Sequence, residues 1–264
     1  MLTFSGCGRQ TAPPPSGEAD LLATAPDGAS VADRPDYVTA SVDAAGGLST
    51  WMQCRELTGK GVVTVYESDG SFYLTEHEFQ AYPWSDAIRV MAQEPRGRFL
   101  WQLVGEEYRR VEGEPGLDVS GLQVSSREYV DAVREIVTAP ARLLDGGVEI
   151  ARRPNSVQIR GKRYILMEAK YSPQQMISET EGDEANVVVD LYWTEGVYYQ
   201  NQESFLVEMI WLANPAKQRY LLVRGYDYTP LAEDGVLIPT KIEIFQSGPD
   251  ATIGPRVAQI DPRW

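Results

Sequence analysis

The chain has 264 residues, with 24 Lys and Arg against 38 Asp and Glu, a formal charge of −14. So acidic a chain lacks the clustered cations that nucleic-acid phosphates demand, and no nucleic-acid partner is expected. One histidine, His77, and two cysteines, Cys7 and Cys54, exclude a multi-histidine metal centre and four-ligand Cys/His zinc sites, and no segment approaches the roughly 20 apolar residues of a membrane span.

Residues Phe4-Ser5-Gly6-Cys7 resemble a bacterial lipobox, in which an apolar residue and two small ones precede the cysteine that becomes the lipidated N-terminus. Cys7 is therefore the expected lipid attachment site. Only Leu2 to Gly6 stand before it, fewer than the roughly 7–15 apolar residues of a secretory signal. A truncated signal is expected on that ground, an accidental match being the alternative. Residues 8–35 hold Pro13-Pro14-Pro15, Pro26 and Pro35 among Gly, Ser, Ala and Thr, which is the composition of an extended or disordered tether. Lipid on Cys7 would leave Cys54 a lone thiol; the alternative is a Cys7–Cys54 disulfide in an oxidising compartment. Residues 1–35 thus form the lipobox and tether, and residues 36–264 a single domain.

Asp33 as cap and Pro35 near the first helical position predict a helix, with Val38, Val42 and Ala45 at helical spacing and Gly46-Gly47 as its end. A short turn follows over Leu48–Met52. From Gly61 the period falls to two. Val63, Val65 and Tyr66 lead into Ser68-Asp69-Gly70-Ser71, a hairpin signal, and Phe72 to Tyr82 returns. A second hairpin is predicted from Ile88–Gln93 and Arg98–Arg110 around Pro95-Arg96-Gly97, followed by a polar loop over Glu112–Gly121. Ser125 and Glu128 have capping-box spacing and open a helix to Leu144, with an apolar stripe of Val130, Val133, Ile136 and Val137. Strands then dominate: 156–171 with a turn at Gly161, 187–193, 197–200, 204–212, 219–228, 236–246 and 253–260, with an acidic loop at 179–184. Turn residues at these intervals predict an antiparallel meander. In the strand over residues 205–212, strict alternation puts Phe205, Val207, Met209 and Trp211 on one apolar side, which suits a core or the wall of an apolar cavity.

Several clusters invite a chemical role. Glu76-His77-Glu78 would be split by strand alternation, the acids to one face and the histidine to the other, so no metal ion is gathered and a solvated strand edge is expected. Glu106-Glu107 and Asp183-Glu184 sit in polar surroundings and are expected at the surface. Alternation puts Arg224, Tyr226 and Tyr228 on one side, either as a cation held over aromatic rings or as a ligand-carboxylate site. No nucleophile elbow, P-loop or dinucleotide fingerprint occurs, and neither a catalytic group nor a cofactor is expected.

The opening Ala45-Gly46-Gly47-Leu48 with Trp51, the strands from Gly61 to Tyr82, Val189-Asp190-Leu191-Tyr192-Trp193 and Leu222-Val223-Arg224-Gly225-Tyr226 resemble the bacterial lipoprotein carriers LolA and LolB and their outer-membrane lipoprotein-sorting relatives. The stretch Gly248 to Arg256 is similar to the tail of uncharacterised planctomycete envelope proteins. The resemblance implies a mainly β fold with a few helices, in which a single, strongly curved antiparallel sheet forms a half-barrel closed by helices. It implies a non-enzymatic binder of a lipid, acyl chain or other apolar molecule. Val133, Val137, Val207, Met209 and Trp211 are the candidate cavity residues. The implied setting is the bacterial cell envelope, facing the periplasm, with the membrane reached through the lipid anchor and an envelope protein as a further partner. Two other readings stand beside it: an envelope scaffold whose interior is filled by its own side chains, and a hydrolase using two facing carboxylates.

Overall fold

The computed structural model describes residues 34–94, 97–112, 122–172, 175–177, 186–188, 191–231 and 235–264. Cys7, the tether up to and including Asp33 and the acidic loop at 179–184 lie outside these residues, as does the polar loop after Glu112.

Helix α1 (Asp36–Ala44) follows Pro35, which occupies the N-cap position, and ends where Gly46 and Gly47 take positive φ. A short α2 (Leu48–Gln53) buries Trp51, whose indole N–H donates to the Ala45 carbonyl at 3.0 Å. Strands β1 (Leu57–Tyr66) and β2 (Phe72–Tyr82) form the expected Asp-Gly hairpin, and β3 (Ala87–Glu94) pairs with β4 (Gly97–Val104). The segment expected as one strand over Arg98–Arg110 is two. Gly105, at φ 52°, turns the chain into β5 (Glu107–Glu112), which pairs back onto β4.

The expected long helix is also divided. Helix α3 (Ser126–Val137) carries a complete capping box between Ser125 and Glu128. It stops at Thr138, because Pro140 has no N–H to continue the ladder, and α4 (Ala139–Leu144) restarts with that proline in its first turn. Strand β6 (Val148–Arg152) was not expected. The hairpin of β7 (Val157–Ile159) and β8 (Lys162–Tyr171) was, with Arg160 and Gly161 both at positive φ as a two-residue turn requires. A small separate pair joins β9 (Gln175–Ile177) to β10 (Asn186–Val188). The strand expected over 187–193 does not reach its end: Tyr192 and Trp193 lie in a loop held by side-chain contacts. The chain closes with β11 (Glu195–Asn201), β12 (Val207–Asn214), β13 (Arg219–Pro230), β14 (Leu237–Ser247) and β15 (Ile253–Arg263).

Thirteen strands make one antiparallel sheet in the order β5-β4-β3-β2-β1-β15-β14-β13-β12-β11-β8-β6, with β7 beside β8. The first and last strands meet in the middle, Lys60 opposite Arg263 and Val65 opposite Ala258. The two ends of the sheet, β5 and β6, do not pair, so the sheet is open. Its curvature follows from one helix. Helix α3 touches β3 and β4 on one flank and β12, β13 and β14 on the other. Strands lie about 4.8 Å apart, so β4 and β12, seven steps from each other, would stand about 34 Å apart in a flat sheet. A helix about 10–12 Å across reaches both only if the sheet wraps around it. On β13, a Cβ on Gly225 would lie 2.8 Å from Ile136, so glycine there leaves the helix room. Among the described residues the fold is thus mainly β with four α-helices, an open antiparallel sheet covered by helix on its inner face, as expected.

Candidate functional site

The inner face is an apolar wall met by an apolar helix stripe. Val63, Val90, Leu103, Ile210, Val223 and Ile242 come from six strands, and all are 0% exposed. Against them pack Val130 and Val133 at 0% and Ile136 and Val137 at 1%. Of the five candidate cavity residues, Val133, Val137 and Val207 belong to this interior. Met209 and Trp211 do not. They join Tyr164, Leu166, Tyr199 and Phe245 in a separate cluster on the opposite face.

The cause is one residue. Tyr199 pairs with Met209 but Gln200 pairs with Val207, so Glu208 is an extra residue in β12. A bulge inverts the alternation beyond it. Val207, Ile210 and Leu212 therefore face inward, whereas Met209 and Trp211 face outward; the single apolar side expected from alternation is divided. Glu208 itself is 6% exposed and satisfied on the outer side, accepting from Lys162 Nζ at 2.9 Å, Tyr164 Oη at 2.8 Å and Asn201 Nδ2 at 2.8 Å.

A local backbone kink in β13 corrects the Arg224-Tyr226-Tyr228 expectation. Tyr226 pairs with Lys241 and Tyr228 with Pro239 in unbroken register, but Asp227 between them stands at φ 54°, which breaks the alternation without adding a residue. Arg224 and Tyr226 remain together outside, the guanidinium 5.1 Å from the ring centre, and Arg224 faces Glu243 at 3.7 Å. Tyr228 turns inward, beneath Gly225, and donates to the Val207 carbonyl at 2.5 Å.

The Glu76-His77-Glu78 triplet divides between faces as alternation requires, but the histidine is not at a solvated edge. Glu76 and Glu78 are about half exposed and meet Lys60 Nζ at 2.5 and 3.4 Å. His77 is 0% exposed, with Nδ1 2.8 Å from the Tyr129 hydroxyl and its ring edge-on to Trp101. An inward-facing residue near the middle of the curved sheet is covered by α3, and so the histidine is buried.

The apolar stripe is only half of α3. The other half is charged and equally buried: Asp131, Arg134 and Glu135 are 1%, 2% and 1% exposed. Asp131 accepts from Arg134 Nη2 at 2.6 Å and from the Trp193 indole at 2.7 Å. Glu135 lies 3.3 Å from Arg134 Nη2 and 3.2 Å from Arg142 Nε, and accepts from the Tyr198 hydroxyl at 3.0 Å. Tyr198 is in turn 3.1 Å from the Tyr171 hydroxyl. Arg134 also donates to the Asp86 and Gly105 carbonyls at 3.1 and 3.0 Å, binding the helix to the turns after β2 and β4. Asp86 Oδ1 stands 3.0 Å from Arg134 and 2.9 Å from Arg142, which reaches Asp145 at 3.1 Å. Burial pushes the Asp131 and Glu135 carboxyls above the usual carboxylate range, against the opposing pull of the arginines.

Beside this cluster Tyr192 lies between two guanidinium groups, those of Arg127 and Arg219, each 4.1 Å from its ring centre. Glu106, expected as a surface acid, is engaged here: it pairs with Arg127 at 2.6 Å and accepts from the Tyr192 backbone N–H at 2.9 Å. The sequence reading took α3 as a one-sided helix and missed the buried charges. Their signal was the spacing 131, 134, 135, which places three ionisable residues on one face.

No family model matches the chain, and no curated protein matches it. Among solved structures it is similar to a LolA superfamily protein from Nitrosomonas europaea, at 12% identity and a TM-score of 0.49, over 86% of this chain and 91% of that one. It is similar to a DUF1329 family protein from Desulfovibrio piger at 11% identity and a TM-score of 0.43, over 87% and 92% of the two chains. A domain described as an outer membrane lipoprotein-sorting protein from Vibrio parahaemolyticus gives 6% and 0.40, over 79% and 83%. These likenesses concern the course of the chain, and they carry no function across to it.

Proposed function

We propose that this chain is a non-enzymatic cell-envelope protein that takes an acyl chain or another apolar molecule between its curved sheet and α3. The observation that carries this reading is the open half-barrel itself. An apolar inner wall from both ends of the sheet is covered by one helix and is not sealed by a closing strand. Each methylene of a lipid transferred from water to such a wall contributes about 0.8 kcal/mol. Val133, Val137 and Val207 are the inner residues against which an acyl chain would lie; Met209 and Trp211, on the outer cluster, would contribute to a second apolar surface. The one histidine is shut beneath α3, which suits binding without chemistry. Cys7 would carry the lipid anchor, holding the domain on residues 8–35 at the membrane and facing the periplasm. An envelope protein would be the donor or receiver of the ligand.

A second reading is favoured by the packing itself. The inner side chains are as little exposed as those of any filled core, so a scaffold that binds nothing inside is consistent with the same residues. One experiment separates the two. Native mass spectrometry of gently purified protein, followed by titration with palmitate, gives a bound apolar mass or saturable uptake under the carrier reading. A ligand-free protein with no uptake sinks it and leaves the scaffold.

A further inference from the structure

The charged half of α3 has a property that a simple structural brace would lack. Its acids outnumber the arginines that they face. Asp86, whose Oδ1 is buried, Asp131 and Glu135 face Arg134 and Arg142, so with every group ionised these five carry one excess negative charge; Asp145, about a quarter exposed, also pairs with Arg142 and has Arg34 beside it, donating to its carbonyl at 2.8 Å. The neighbouring Glu106–Arg127 pair is neutral and does not correct this. The facing groups from the strands and the loop are hydroxyls and an indole, from Tyr171, Tyr198 and Trp193, which bring no cation. Arg134 Nε, buried, has no hydrogen-bond acceptor among the described residues, so the network is not fully satisfied either. Like charges confined at a few ångströms in a medium poorer in water repel strongly.

We propose that this cluster is a pH-sensitive latch on the half-barrel, which holds α3 and α4 against the sheet at mildly acid pH and releases them as pH rises. The proposal rests on the carrier reading for its purpose, since release of α3 is what would open the inner wall. Its physical basis is independent of any ligand. A proton on Glu135 or Asp131 removes the excess charge. It also fits the hydrogen bonds: protonated Glu135 donates to Tyr198, which then donates to Tyr171, a reversal of the same chain without movement of heavy atoms. The sign follows from burial. Carboxyls held above their unfolded values bind protons more tightly in the closed state, so closure strengthens as pH falls through the raised values and weakens as pH rises through them. Ionisation of both loosens α3 and α4 first, because all three buried charges of the cluster sit on α3 and Arg142 on α4.

The test is hydrogen–deuterium exchange of the full chain from pH 4.5 to 9, corrected for intrinsic exchange. Protection over residues 126–144 should fall with rising pH, about tenfold for each unit of displaced titration, while β13 and β14 stay protected. Glu135→Gln should flatten that dependence. If it fails to fold, Asp131→Asn, which keeps an acceptor for Trp193, serves the same comparison. Flat or rising protection in the wild type, or an unchanged slope in the variant, overturns the latch. Palmitate titrated at pH 5 and pH 8 separates the two proposals. A latch that exchanges as expected with no uptake at either pH removes the carrier reading alone. Uptake with flat exchange removes the latch alone.

Discussion

Single residues decide where this sheet points its side chains. Alternation correctly separates Glu76 and Glu78 from His77, because no extra residue interrupts β2. It fails at Met209 and Trp211 because Glu208 is a bulge, and again at Tyr228 because Asp227 takes a left-handed backbone conformation. The hydrophobic pattern does not mark the bulge: apart from Glu208 itself, Val207 to Leu212 is apolar on both sides of the strand, so either phase satisfies it. Cys54 shows what burial does to one group. Its thiol is pushed up to about 11, although a backbone contact with Glu56 opposes the shift. It should therefore stay protonated at pH 8. In a Cys7→Ser background, iodoacetamide should label Cys54 about two orders of magnitude more slowly than a free thiol of pKa about 8.5. The difference should vanish in denaturant, and mass spectrometry of timed samples reads both rates.

At the level of elements, local chemistry was legible and tertiary capture was not. The Asp69-Gly70 hairpin and the Ser125–Glu128 box form because a few adjacent residues suffice to define them. Ser125→Ala removes the box and should cost about 1 kcal/mol, read as a lower midpoint in urea unfolding with an unchanged slope. The β4–β5 hairpin was hidden, since Gly105 and Glu106 sit inside an otherwise continuous strand-like run. Tyr192-Trp193 has strand composition, yet it is a loop because two arginines and Asp131 hold its rings. Those partners lie elsewhere in the chain, and no window of sequence contains them. The buried charges of α3 were missed for the same reason: a charged face looks solvated until the sheet is known to wrap it.

Across the whole molecule, the meander could be read from its turns, but the seam between β1 and β15 could not. No turn connects them, and Lys60 and Arg263 meet only because the sheet curls both halves around α3. Removing residues 253–264 should separate the halves and abolish the cooperative thermal transition seen by circular dichroism. A truncated chain that still melts cooperatively at the original temperature would show that the seam contributes little. The seam also constrains time. Pairing the earliest strand with the latest is the longest loop closure the domain requires, and such non-local contacts slow folding. Until β15 is available, β1 presents an open edge and the sheet has no middle. A chain emerging from synthesis therefore stays incomplete until β15 has followed. Its refolding should be slow and should speed up in a circular permutant that joins β15 directly to β1.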